Sequence, residues 1–370
     1  MKKAFLKIFL VFALLPVRSA AQDFHSLPQA RPIKTDTLSL FIIGDVMMHS
    51  AQFGYDHRKF LKNVSHRMRG ADICIANMEL TLGGKPYSGY PAFSSPEYIA
   101  EYLAGECGAD IRLTSNNHIM DRGSSGLERT LKIYSSLRDS TGTVYTGSAL
   151  SPEDRESNFP LTFRRKGIKI AIINCTYGTN ARGSEDWPRT EYMDRENLGA
   201  AFRRARESGA DFIVALPHWG VEYSLRHSPE QEKWAEWMTG QGADIIVGTH
   251  PHVVQDTAHI GKVPVIYSLG NAVSNMSAPN TRLELAVSLS FTKDIVTGSA
   301  TMLEPRLHFM WCCLPGRLTD SYSTVFVDEW LSRRNAWILP ADHDNMTATL
   351  RRVTASTGIN TGSYEQYSGK

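Results

Sequence analysis

Residues 242–252 read GADIIVGTHPH: Gly-Ala-Asp, a short apolar run, and then His250 and His252 held apart by one proline. Three other segments share the opening, GADICIANMEL from Gly70, GADIRLTSNNH from Gly108 and GADFIVALPHWG from Gly209. A glycine after a helical segment ends the helix in the left-handed conformation, and the β-rich apolar run that follows is of strand length. Met193 to Ser208, rich in Arg, Glu and Ala, and Pro229 to Thr239, PEQEKWAEWMT, are the predicted helices before two of these glycines. The repeated unit is therefore helix, Gly-Ala-Asp, strand, polar cluster. TLSLFIIGDVMMH adds a strand that ends in a polar cluster at Asp45, and IKIAIINCTYG and VPVIYSLGN read as further strands. Their irregular spacing predicts a layered α/β domain and excludes a solenoid.

In α/β sheets, ligands bind beyond the carboxyl ends of the strands. Every polar cluster falls at such an end, so five loops deliver Asp45, Glu79, Asn117 with His118, His218, and His250 with His252 to one rim. Singly, a His or Asp after a strand is more often a turn or capping residue than a ligand. The joint occurrence of these residues points to a shared centre. Carboxylates, an amide oxygen and neutral imidazoles suit Zn, Mn or Fe, and the lack of cysteine in the set argues for an open catalytic metal site over a closed structural one. Pro251 stiffens the loop between the two imidazoles.

The remainder of the 370 residues sets the context. A 42% hydrophobic content supports a substantial core and excludes global disorder. Lys2 and Lys3, an apolar stretch from Ala4 to Leu15 broken by Lys7, and Ser19-Ala20-Ala21 read as a signal peptide over residues 1–21, cleaved before Gln22, so the chain is expected to be exported. Cleavage removes four basic residues and no acid, taking the formal charge from +2 to −2, and nucleic acid is not an expected partner. Of the five cysteines, Cys74 and Cys175 read as core residues and Cys107, Cys312 and Cys313 are open, the last two read as free thiols because adjacent residues form only a strained disulfide. The domain is expected over 35–300, with 301–355 as an extension packed on it, DEWLSRRNAWILP as a helix within that extension, and 356–370 as a frayed tail.

Six ordered blocks, IIGDVMMH, IANMELTL, TSNNHIMDRG, LPHWGVEYS, VGTHPHVVQ and VIYSLGN, are similar to the bacterial capsule synthesis protein CapA family, from about Leu38 to Asn275. That family includes poly-gamma-glutamate synthesis proteins and resembles the calcineurin-like metallophosphoesterases in fold. The resemblance implies a four-layer α/β/β/α sandwich of the metallo-dependent phosphatase type with metals at its strand ends. It makes Asn117 a ligand and His118 the acid that protonates a leaving oxygen, and it makes His218, His250 and His252 ligands. Two departures stand out. Met47 occupies the histidine position of the phosphoesterase Asp-x-His motif, with His49 two residues further on, and Glu79 replaces the bridging Asp. One metal position would keep Glu79, Asn117, His218 and His250, the other Asp45 and His252. The expectation is one firm divalent transition-metal site (Mn, Zn or Fe) and a second weak or empty one.

Asp121 reads either as the group that orients the His118 imidazole or as a cap for the helix after it. Trp219 and Tyr223 read as loop supports or, with Glu222, as pocket lining; Asn271 reads as a cap of the rim, Gly270 as a turn and Arg122 as an exposed arginine or an anion contact. Two functions fit. One is a metal-dependent, phosphoesterase-like hydrolase acting on a phosphoester or surface polymer. The other is an accessory component whose rim grips a polymer or a membrane synthase partner.

Overall fold

The computed structural model describes residues 35–183 and 186–359, so the expected signal peptide and most of the expected tail lie outside the described residues. Sheet one comprises β1 (Thr35–Val46), β2 (Ile73–Met78), β3 (Ile111–Leu113), β4 (Val144–Thr146), β13 (Leu283–Asp294), β14 (Ala300–Met302), β15 (Arg306–Cys313) and β16 (Ser323–Phe326). Its order is β16-β15-β13-β1-β2-β3-β4, with β14 beside β13, and β1 to β4 run parallel. Sheet two comprises β6 (Leu161–Arg165), β7 (Ile168–Thr176), β9 (Phe212–His218), β10 (Ile245–Val247), β11 (Thr257–Ile260) and β12 (Val263–Ile266), ordered β11-β12-β10-β9-β7-β6. Here β7, β9, β10 and β12 are parallel. A short ribbon pairs β5 (Ser148–Ala149) with β8 (Arg189–Thr190), and α4 (Pro152–Asn158) follows β5.

Alternation along the strands builds the layers. Leu38, Leu40 and Ile42 of β1 enter one buried cluster with Ile170 and Ile172 of β7 and Val214 of β9, which is the core between the sheets. Their neighbours Phe41 and Ile43 enter another with Leu127, Leu131 and Tyr134 of α3 (Gly123–Thr141), beside α1 (Ser65–Gly70) and α2 (Tyr98–Tyr102). On the far side, Ala171, Ile173 and Ala215 pack on α5 (Arg195–Glu207) and α6 (Pro229–Gln241) through Phe202 and Met238. The expected four-layer α/β/β/α sandwich is the architecture found. Because both faces of each central strand are covered, these strands read as continuous apolar runs.

The Gly-Ala-Asp junctions have two physical roles. Gly108, Gly209 and Gly242 take positive φ, and Gly242 caps α6 in the left-handed conformation at φ 94°. Gly70 is the exception, being the last residue of α1. The aspartates then set strand register. Asp72, Asp110, Asp211 and Asp244 accept from the backbone N–H of Ser39, Cys74, Lys169 and Ile213 at 2.9, 2.7, 2.8 and 2.7 Å. Each aspartate's own N–H donates to the carbonyl of the same residue. A strand is thereby tied to the start of its parallel neighbour, which aligns the carboxyl ends where the polar loops begin.

Residues after Asp294 complete the sandwich: β15 pairs β13 and β16 pairs β15, while α8 (Pro340–Thr357) places Met346, Leu350 and Val353 in the inter-sheet core. The helix expected in DEWLSRRNAWILP is broken into α7 (Val327–Trp330) and a 3-10 turn at Arg334–Ala336. Its length of side chains rich in Arg and Trp has no single apolar stripe to bury. All five cysteines are buried and free. Among the described residues no helix is long and apolar enough to cross a membrane.

Candidate metal centre

The site forms where the carboxyl ends of the parallel strands in the two sheets meet. Asp45 lies at the end of β1, Glu79 follows β2, Asn117 and His118 follow β3, His218 ends β9, and His250 and His252 follow β10. All of them are buried to 3% exposure or less, so these are not solvated loop tips. Close approach of the chain is needed to bring β1 in. A Cβ on Gly44 would stand 2.0 Å from the Gly270 carbonyl oxygen, the same oxygen that accepts from the Asp45 N–H at 2.9 Å.

Two triads of candidate ligand atoms share Glu79: Glu79 with His250 and His252, and Asp45 with Glu79 and His218. Asn117 joins the second through a 3.0 Å contact from Oδ1 to His218 Nε2. Glu79 Oε1 is 3.8 Å from His218 Nε2 and 3.7 Å from His252 Nε2, too far for hydrogen bonds. His252 Nδ1 is also 3.4 Å from Asp45 Oδ2, and the His218 and His250 ring centroids are 4.8 Å apart, so the expected ligands gather round one space. Glu79 is common to both triads, and its extra methylene relative to Asp does not keep it out of the centre.

The surroundings fix the ligand-type groups. Asn77 donates from Nδ2 to Asp45 Oδ1 at 2.7 Å. Asn271 donates its amide to the carbonyls of His252 and Thr281, so its Oδ1, 2.9 Å from His252 Nδ1, accepts from that nitrogen. The His252 lone pair is then on Nε2, the atom nearer Glu79. His218 Nδ1 is 2.9 Å from the Thr249 hydroxyl. His250 and His252 have φ of 101° and 58°, uncommon for residues other than glycine. Such backbone conformations persist where packing holds them, as at ligand clamps.

Both Glu79 oxygens and His250 Nδ1 are buried without a hydrogen-bond partner among the described residues. Burial first, and then the nearby Asp45 carboxylate, push the Glu79 carboxyl well above its usual range. Burial and the neighbouring His250, His252 and His118 rings hold His218 well below the usual imidazole range, and burial with His252 takes His250 down to about 3. His218 and His250, held neutral by burial, stand with His252 beside a carboxyl that has no hydrogen-bond donor among the described residues, so donor atoms converge on one space. That donor set fits a divalent transition metal, which would satisfy the orphaned oxygens and reverse the cost of burying them.

His118 stands beside this set in a different role. Its Nδ1 is 2.7 Å from Asp121 Oδ2, which also accepts from the Phe93 N–H at 2.8 Å. The Phe93 ring meets the imidazole edge-on, with centroids 4.6 Å apart. Asp121 makes no helix cap; the residue at the start of α3 is Arg122, without a side-chain cap bond. Of the other residues singled out in the sequence, His49 joins neither triad, its Nδ1 accepting from the Asn275 N–H at 3.3 Å beside Phe93. Met47 is buried. Trp219 is buried and donates to the Tyr267 carbonyl at 2.9 Å, a loop support, while Glu222 and Tyr223 are exposed. Arg122 is bonded to the Ser88 hydroxyl.

Sequence reasoning passed over Asn77, Tyr177 and Asn180. Tyr177 is half exposed and packs on the His250 ring at a 4.6 Å centroid distance. Asn180 donates its N–H to the Asn117 carbonyl at 2.8 Å and sets its amide 3.3 Å from the His118 ring. Tyr177 directly follows β7, so the strand-end rule that found the histidines reaches it as well.

The model of the bacterial capsule synthesis protein family PGA_cap matches residues 39–276. The chain is 25% identical to the capsule biosynthesis protein CapA of Bacillus anthracis over 291 residues, covering 74% of this chain and 68% of that protein. It is also 25% identical to the PGA biosynthesis protein CapA of Bacillus subtilis (strain 168) over 312 residues, covering 79% and 78%. Among solved structures it is similar to a phosphatase from Mycoplasma pneumoniae at a TM-score of 0.46 and 14% identity, over 75% of this chain and 94% of that one. The family match takes in every residue of the two triads together with Asn117, His118, Asp121 and Asn271, and the chain belongs to the bacterial capsule synthesis protein family PGA_cap.

Proposed function

We propose that the chain is an exported, metal-dependent hydrolase that acts on a phosphoester or similar centre in surface-polymer biosynthesis. Family membership supports the polymer context, and the N-terminal signal pattern supports export. The observation that carries the hydrolase reading is the buried Glu79 carboxyl, with both oxygens unpartnered and the imidazoles of His218 and His252 beside it. When bound there, a divalent cation would polarise a substrate oxygen and lower the pKa of a water. Asp45, Glu79, Asn117, His218, His250 and His252 would hold it. Asp121 accepts from His118 Nδ1, leaving Nε2 as the nitrogen that exchanges a proton with a leaving oxygen. Burial of the rim excludes bulk water, which strengthens these electrostatic contacts.

A second reading rests on Met47. Without the histidine of Asp-x-His the ligand set is incomplete at one position, which favours an accessory component that grips a polymer or membrane partner. Turnover separates the two. The mature protein, expected by intact mass to begin at Gln22, should hydrolyse a simple phosphoester with Mn or Zn present. His118→Ala should lower kcat by about 10²–10⁴-fold while metal stays bound. Turnover that survives complete metal removal, or no turnover with metal bound, sinks the hydrolase reading.

A further inference from the structure

A cavity of about 900 Å³ opens on the His118 side of the rim. Met120, two residues beyond His118, forms part of its wall. So does Thr179, whose neighbour Asn180 touches the His118 ring and whose hydroxyl is 2.9 Å from that of Tyr192, another wall residue. The cavity therefore lies next to the segments that flank the candidate proton donor, and none of the candidate metal ligands lines it.

Among the described residues, its lining charge is one-sided. Arg155, Arg182 and Arg189 face one lining carboxylate, Glu191. Arg155 is consumed by that carboxylate in a two-point pair, one contact of which is 2.9 Å. Arg182 has no ion-pair or hydrogen-bond partner among the described residues, and Arg189 lies over the Trp187 ring, its guanidinium carbon 5.4 Å from the centroid. Arg189 sits on β8, whose pairing with β5 anchors it. Among the described residues, two guanidinium groups without an ion-pair partner gather here on a chain whose expected mature charge is negative, so the concentration is local and not the spill of a basic surface.

We propose that this cavity binds the anionic groups of the substrate that lie beyond the reacting bond, with Arg182 and Arg189 taking the oxyanions and the Arg155–Glu191 pair forming a rigid wall. Guanidinium groups match carboxylate and phosphate in a two-point fork, and an aromatic face behind Arg189 holds the fork in plane. The volume exceeds what one oxyanion fills and is within the range of sites for extended small ligands. The inference deepens the hydrolase reading, since it places the charged remainder of the substrate where His118 meets the leaving oxygen.

Titration calorimetry on the full mature chain tests it, with inorganic tripolyphosphate in one arm and the tricarboxylate tricarballylate in the other, each with and without bound Mn. The comparison variant is Arg182→Ala/Arg189→Ala, both exposed positions whose loss leaves the core intact, with Arg182→Lys/Arg189→Lys beside it. The expected result is salt-sensitive binding in metal-free as well as metal-loaded protein. The Ala variant should weaken it about tenfold or more and the Lys variant less, at unchanged metal content. The tighter arm identifies phosphate or carboxylate as the oxyanion. Equal affinity in wild type and the Ala variant, binding that vanishes on metal removal, or no binding in either arm overturns the inference and leaves the metal-centre reading standing. Arginine-dependent binding in a protein that never takes up metal supports the cavity and sinks the hydrolase reading instead.

Discussion

At 2.7 Å from His118 Nδ1 and 2.8 Å from the Phe93 N–H, the Asp121 carboxylate sets both the tautomer and the tilt of the imidazole. Asp121→Asn retains the shape and loses the charge that holds Nδ1–H. It is expected to lower kcat about 10–100-fold with KM and metal content little changed, measured by steady-state kinetics on a phosphoester. An unchanged kcat would make Asp121 a packing residue. The paired histidines were legible because polar residues recur at five strand ends, which turns and caps alone do not explain. The partners that orient them were not. Asn77 and Asn271 are ordinary loop amides until the fold sets them 2.7 Å from Asp45 and 2.9 Å from His252. Likewise, nothing in the spacing of His49 tells that its backbone N–H donates to Gln52 Oε1 at 2.7 Å, that its Nδ1 accepts from the Asn275 N–H, and that it joins neither triad.

Among the elements, the parallel strands were readable from their apolar runs and, before β3, β9 and β10, from a glycine with positive φ at the end of the preceding helical segment. The role of the aspartate in Gly-Ala-Asp was not, because its partner is a backbone N–H about 31 to 42 residues away in sequence. The last helix, α8, is tied by a contact of the same long-range kind. Arg282 donates to Asp342 Oδ1 and Oδ2 at 2.7 and 2.6 Å and to the Cys312 carbonyl at 2.8 Å, all buried, with the guanidinium carbon 4.3 Å from the Trp311 ring centroid. Asp342→Ala leaves that guanidinium unpaired and is expected to cost about 3–5 kcal/mol in urea unfolding. Arg282→Met/Asp342→Leu, which removes both charges, is expected to cost less than the single change. If the single substitution moves the midpoint no more than a surface change does, the pair does not anchor α8.

Across the whole molecule, the centre exists only where the two sheets meet. Asp45 and Glu79 come from sheet one, and His218, His250 and His252 from sheet two and its loops. A cation held by both would cross-link the layers, so binding and folding are coupled. A layered α/β domain was legible from the strand-end pattern, whereas the four-layer arrangement came from the family resemblance. The arginine cavity was not, because Arg155, Arg182 and Arg189 converge through tertiary packing from separate segments. The central claim is that the strand ends form a metal centre, and elemental analysis tests it most directly. The chain from Gln22 onward is compared with His250→Ala/His252→Ala after exposure to Mn or Zn, with circular dichroism as the control for folding. About one or more equivalents of metal in the native protein, lost in a folded variant, is the predicted result. No metal in either protein, or the same content in both, contradicts it.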